Sequence, residues 1–257
     1  MLTQFQTDRL QIFVLENRAE MGAAAGNTAA AAIKKALREK GRANVMFAAA
    51  PSQKETLAAL RADREIDWRN VAAFHMDEYI GLTADHPAGF GNFLKREFFD
   101  HVPLGEVYLI HAGAEDLDGE IARYTALLRE HPLDVCLCGI GENGHVAFND
   151  PPVADFQDPA VVKVVTLDEL CRAQQVHDGC FASLDEVPTR AFTVTVPGIM
   201  AAAAVICTVP ASTKAEAVRH MLKDPIAENI PASILRRHSR ASLYLEPDSA
   251  KFVLPRP

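Results

Sequence analysis

The stretch Asp134-Val-Cys-Leu-Cys-Gly-Ile-Gly-Glu-Asn-Gly-His-Val-Ala-Phe-Asn-Asp-Pro-Pro152 decides how the rest of the chain is read. It opens on Asp134–Ile140, an apolar run of strand length, which suits a strand buried on both faces of a parallel sheet. Gly139, Gly141 and Gly144 follow closely, so the backbone can approach a ligand. Their spacing matches the letters of the dinucleotide fingerprint, but that fingerprint must open a helix. Here Asn149-Asp-Pro-Pro152 stops any helix soon after it begins. The stretch therefore reads as a strand feeding a ligand-facing loop, without a nucleotide-binding helix.

The same alternation runs outward in both directions. Strand-like segments are Asn44–Ala50, Val71–Met76, Val107–His111, Val161–Leu167, Ala191–Val196, Ala203–Val209 and Ala241–Leu245, with Arg9–Leu15 as an edge strand. Helical patterns occupy Arg18–Lys40, Ser52–Ala62, Gly89–Phe99, Leu117–Arg129, Lys214–Leu222 and Ala232–Arg237, and Gly41 stands where the first of these should stop. This order predicts an α/β fold: a Rossmann-like, open, mostly parallel sheet with helices on both faces. No repeat, linker or composition break divides the chain, so residues 1–257 are expected to form a single domain. In such sheets ligands bind beyond the carboxyl ends of the strands, so the loops after strands are where chemistry is expected.

Bulk properties narrow the function. A net charge of −8 argues against a nucleic-acid surface, yet a local pocket of N–H groups and one or two cations still holds a small phosphate. No apolar run reaches the ~18 residues of a membrane span, and the N-terminus MLTQFQTDRLQIF has no signal-peptide pattern. A cytoplasmic protein is expected. The 5 cysteines lack C-x-x-C spacing and read as reduced thiols, Cys136 and Cys138 as core packing.

Three post-strand elements carry candidate chemistry. Asp77 and Glu78 arrive directly after a buried run, where desolvation raises the basicity of a carboxylate, as a general base for a carbon acid requires. The ordinary alternative is a solvated acid or a helix cap. His145 follows Gly144, and Asp150 lies five residues on. A histidine passes protons near neutral pH, and a carboxylate beside it fixes its tautomer. Ser52-Gln-Lys-Glu55 and Thr213-Lys-Ala-Glu216 both have capping-box spacing after a strand, and a helix start there offers N–H groups and a dipole to an anion, with Lys214 adding charge.

Together these loops resemble the glucosamine-6-phosphate deaminase family, related to the 6-phosphogluconolactonases. The segment Phe74–Val102, FHMDEYIGLTADHPAGFGNFLKREFFDHV, resembles that family's M-D-E-Y-x-G-L run. Gly139–Pro152 resembles its G-x-G-x-x-G-H-x-A-F-N-[ED]-P loop, and Ser212-Thr-Lys214 its later lysine segment, with order and spacing kept over roughly residues 40–220. The resemblance implies conversion of a hexosamine 6-phosphate to ketohexose 6-phosphate and ammonia. Asp77 would move the C2 proton to C1, His145 would pass a proton at the ring oxygen, and Asp150 would orient His145. Lys214, Ser52 and Gln53 would hold the phosphate, with Gly141 and Gly144 lining the sugar. No metal or organic cofactor is implied. The partner is a small phosphorylated sugar, with no nucleic acid and no membrane, and a homo-oligomer is compatible with the pattern.

Departures from the pattern are specific. Asn143 stands where the family carries an aspartate before Gly-His, Asp150 replaces a longer glutamate, and Ala48-Ala-Ala-Pro-Ser-Gln53 replaces a glycine-threonine phosphate loop. The arginine expected near Asp178 is missing. Two rival readings are a 6-phosphogluconolactonase, which would show Ser-Leu-Phe-Pro where Phe148-Asn-Asp-Pro stands, and a sugar-phosphate sensor without catalysis.

Overall fold

The computed structural model describes residues 1–254. Its larger sheet has 8 strands: β1 (Thr3–Thr7), β2 (Leu10–Val14), β3 (Ala43–Phe47), β4 (Val71–His75), β6 (Glu106–Tyr108), β7 (Val135–Cys138), β10 (Ala204–Val209) and β11 (Ala241–Leu245). Their spatial order is β1-β2-β11-β10-β7-β3-β4-β6, and every pairing is parallel except β1 with β2. Strand order runs outward in both directions from β3 and β7, so a crevice opens above that pair.

Alternation along each strand explains the two-sided burial. Met46, Cys136, Cys138 and Cys207 point into one hydrophobic cluster, and Val45, Phe47, Val135 and Leu137 into the other. Helix α1 (Arg18–Lys40) covers the second cluster through Met21, Ala25, Ala29 and Ile33, beside α2 (Lys54–Ala62) with Leu57 and Leu60 and α3 (Phe90–Glu97) with Leu94. On the first face lie α4 (Leu117–Glu130) with Tyr124 and Leu128 and α7 (Ala215–Lys223) with Val218 and Met221. Helix α1 begins at Asn17, whose side chain accepts the Glu20 N–H, and ends at Gly41 with φ 72°, the left-handed stop that glycine adopts without strain.

Some segments depart from the sequence expectation. Arg9–Leu15 becomes β2, an internal strand, because β1 pairs outside it. Residues 161–167 and 191–196 leave the parallel sheet. As β8 (Val162–Thr166) and β9 (Arg190–Val194) they join β5 (Asp77–Tyr79) in a 3-stranded antiparallel sheet of order β5-β9-β8. Only Met76 separates β4 from β5, so the chain turns off the large sheet and onto the small one at Asp77. The small sheet therefore carries the carboxylate across the strand ends. The segment Ala232–Arg237 is 3₁₀ within Pro231–Arg237 and not α-helical.

Candidate active site

Above β3 and β7 lies a cleft of about 860 Å³ including its solvent-open part. It draws on every neighbouring strand end: Ala48–Ser52 after β3, Met76 and Asp77 after β4, Gly139, Ile140, His145 and Phe148 after β7, and Pro210, Ala211, Thr213 and Lys214 after β10. The crossing segment α5 (Glu169–His177) adds Gln174 and Gln175, with Asp178 at its end. Two lining alanines, Ala147 and Ala211, have φ of 51° and 82°. Such strain in non-glycine residues persists where surrounding structure enforces it, and it collects at functional sites.

Asp77 and Glu78 divide the two readings of their pair. Glu78 is spent on structure: its carboxylate accepts the N–H groups of Tyr79 (3.0 Å), Phe90 (3.0 Å) and Gly91 (2.9 Å), capping α3. Burial raises its pKa, and those N–H groups pull it back. Asp77 faces the cleft, is 7% exposed, and makes no hydrogen bond through its carboxylate among the described residues. Burial, with the neighbouring Glu78 charge, holds its pKa well above the ordinary carboxylate value.

The loop after β7 is wired differently. His145 Nδ1 lies 2.9 Å from Asp150 Oδ1. Asn143 sits between them in function: its Oδ1 accepts the His145 backbone N–H (3.0 Å), and its Nδ2 donates to Asp150 Oδ1 (3.0 Å) and to Asp168 Oδ2 (3.4 Å). Burial raises the Asp150 pKa, but the contacts from His145, Asn143 and the Asp168 N–H outweigh it and hold the group below the usual range. An aspartate at position 143 would place a third carboxylate against Asp150 and Asp168; the amide supplies donors to both. Asn149 anchors the loop by donating to Val146 O and Val194 O, 2.9 Å each.

The glycines here shape the loop. A Cβ on Gly141 would lie 2.1 Å from the His145 ring, so only glycine lets the imidazole lie against this backbone. Gly144 has φ 84°. Neither is among the residues that line the cleft; both act on the loop that carries His145. Gln53 also lies outside the lining. It is buried below the cleft, and its Nε2 donates to Thr208 Oγ1 (2.8 Å), Cys138 O (3.2 Å) and Ser52 Oγ (3.2 Å), bracing the ends of β7 and β10.

At the remaining end the expected capping boxes are absent. Both helices begin with 3₁₀ turns, Pro51–Gln53 and Ser212–Lys214, without side-chain caps. Glu55 pairs with Arg18 at 2.8 Å instead. Lys214 is 8% exposed, and its Nζ is buried without a hydrogen-bond partner among the described residues. Burial pushes its pKa down, while Asp178 and Glu142 pull it up. An ammonium left unpaired in a cleft is costly, and an anionic ligand is the group that relieves it. Arg18, Gln174, Gln175 and Asp168 belong to this site and carry no loop motif. The one signal was Arg18 itself, a cation in the first turn of a helix, where the dipole favours acids.

A mostly parallel α/β sheet, with a cleft at its switch point holding an unpaired carboxylate, a His–Asp pair and an unpaired lysine, defines an enzyme-like small-anion site. The glucosamine-6-phosphate isomerases/6-phosphogluconolactonase family model matches residues 16–244, and the chain belongs to that family. A glucosamine-6-phosphate deaminase of Listeria innocua is 32% identical over 83% of this chain and 89% of its own length. One from Exiguobacterium sibiricum is 36% identical over 75% and 74%. The structure of a monomeric glucosamine-6-phosphate deaminase superposes with a TM-score of 0.85 at 29% identity, covering 93% of this chain and 98% of that one. The Trypanosoma brucei 6-phosphogluconolactonase shares the fold, with a TM-score of 0.78 at 20% identity over 98% and 100% of the two chains. No helix among the described residues is long and apolar enough to cross a membrane.

Proposed function

We propose that the chain converts a hexosamine 6-phosphate, glucosamine 6-phosphate in the first instance, to the ketohexose 6-phosphate and ammonia. One observation carries this reading: a single cleft is lined by a buried carboxylate without a hydrogen-bond partner, a His–Asp pair, and a buried ammonium without one. His145, oriented by Asp150 and by Asn143, passes a proton at the ring oxygen and opens the sugar. Asp77, made basic by burial, takes the C2 proton and returns it at C1. The resulting C2 imine adds water, and ammonia leaves. Lys214 and Ser52 hold the phosphate. Residues 1–257 act as one domain, in the cytoplasm, where phosphorylated sugars are handled.

A panel of phosphorylated amino sugars tests this, with ammonia and ketose phosphate both measured. Equal amounts of the two from glucosamine 6-phosphate are expected. Hydrolysis of 6-phosphogluconolactone without ammonia release would move the chain to the lactonase branch, and tight binding without either product would make it a sensor.

A further inference from the structure

We propose that Arg18 is a second phosphate-binding cation in this cleft, required because Asp178 faces Lys214 there. The inference rests on the phosphate-binding reading above and assigns a residue outside every loop motif.

Charge balance comes first. Lys214 and Asp178 both line the cleft, and the Asp178 carboxylate is the strongest charge acting on the lysine. One ammonium with Asp178 beside it does not match the charge of a phosphate dianion, and the net charge of −8 supplies no long-range attraction, so a second cation is needed even though Glu55 offsets part of its charge. Arg18 is the other cation among the lining residues.

Its geometry fits the role. Arg18 Nη2 donates to Pro51 O at 2.6 Å, and its Nε donates to Glu55 Oε1 at 2.8 Å. Both partners flank Ser52, so the guanidinium is tied to the 3₁₀ turn that borders the cleft. A guanidinium carries five N–H donors in a fixed fork. These two bonds use one edge of it and leave Nη1 and the second Nη2 hydrogen for a ligand, the arrangement suited to paired phosphate oxygens. Arg18 also occupies the first turn of α1, where its charge opposes the helix dipole. A residue placed against a local rule is best explained by a function that needs it there.

The test uses inorganic phosphate as a competitive inhibitor beside glucosamine 6-phosphate as substrate, with thermal unfolding of each variant as control. Arg18→Gln should weaken phosphate inhibition and raise KM by about tenfold or more, the change expected for a lost charge-assisted hydrogen bond, while kcat falls far less. Arg18→Lys should recover part of the loss, and Asp178→Asn should tighten phosphate. If Arg18→Gln leaves phosphate inhibition unchanged while Lys214→Ala abolishes it, Arg18 is only a brace for the Pro51 turn and the proposal is overturned. A drop in melting temperature with unchanged phosphate inhibition has the same meaning. If phosphate inhibits neither wild type nor variants, the anion-binding reading of the cleft fails, and the role of Arg18 fails with it.

Discussion

The two sides of the cleft are built on opposite principles. On one side stand Asp77 and Lys214, both buried and both without a hydrogen-bond partner among the described residues. On the other stands the loop after β7, where Asn143 ties Asp150, Asp168 and the His145 backbone together and His145 Nδ1 lies 2.9 Å from Asp150 Oδ1. Unpaired buried charge costs stability, and a satisfied network rigidifies. On the proposed mechanism, the difference separates the carbon base and the phosphate cation from the ring-opening histidine, which must be held in one orientation to pass its proton. Asp77 keeps its basicity because it is buried beside the Glu78 charge and no group donates to its carboxylate. Glu78, one residue on, loses that role to the three N–H groups it caps.

The largest effect expected from this contrast is on turnover. Asp77→Asn keeps the shape of the cleft and removes the base, so kcat for ammonia release should fall by about 10²–10⁴-fold, the usual worth of a positioned base. KM should change little. A variant keeping near-normal kcat would show that another group takes the proton.

Binding comes next. Lys214→Ala should raise KM for glucosamine 6-phosphate by the equivalent of about 1.5–3 kcal/mol and leave an unphosphorylated amino sugar unaffected. Equal losses for both sugars would place the phosphate elsewhere.

The third comparison concerns the sign of stability changes. Asn143→Ala removes donors and an acceptor from the wired side, and should lower unfolding free energy by roughly 1–3 kcal/mol in urea titration. Asp77→Asn and Lys214→Met remove unpaired buried charge and should raise it. Destabilisation by all three would mean that both sides are ordinary structural polar groups.

The smallest effect is on pH dependence. His75 is fully buried at the end of β4, its Nε2 accepts the Ile110 N–H at 2.8 Å, and burial pushes its pKa down to about 3. The unfolded histidine binds a proton below about 6.5 and the folded one does not, so this contribution is complete above that value and is lost as pH falls toward 3. Asp77 acts in the opposite sense: its raised pKa contributes stability at low pH that disappears as pH rises through the raised value. In an Asp77→Asn background, stability should therefore fall by up to about 2 kcal/mol between pH 7 and 5, and His75→Asn should flatten that slope.

Legibility in the sequence followed physical range. The continuous apolar strands and the Arg18–Lys40 helix, bounded by Asn17 and Gly41, were plain because burial and caps act locally. The β7 loop was plain because glycines, His145 and Asp150 sit on a few consecutive residues. What escaped was non-local. β5 is three residues long and exists because β9 pairs with it across more than a hundred residues. Both capping boxes had the right letters, but a preceding proline at Pro51 and the strained Ala211 made 3₁₀ turns, and Glu55 found Arg18. Asp168 and Gln174 reach the site only because α5 crosses over it: Gln174 Oε1 accepts the Glu142 N–H at 2.9 Å.

The central claim is that Asp77, buried and unpaired, takes the proton from C2. Glucosamine 6-phosphate deuterated at C2 tests it most directly, with the label followed by NMR during incubation with wild type and with Asp77→Asn. The account predicts that wild type removes deuterium from C2 as ammonia appears, while Asp77→Asn binds the sugar and leaves the label in place. Loss of the C2 deuterium at the wild-type rate from Asp77→Asn would contradict it.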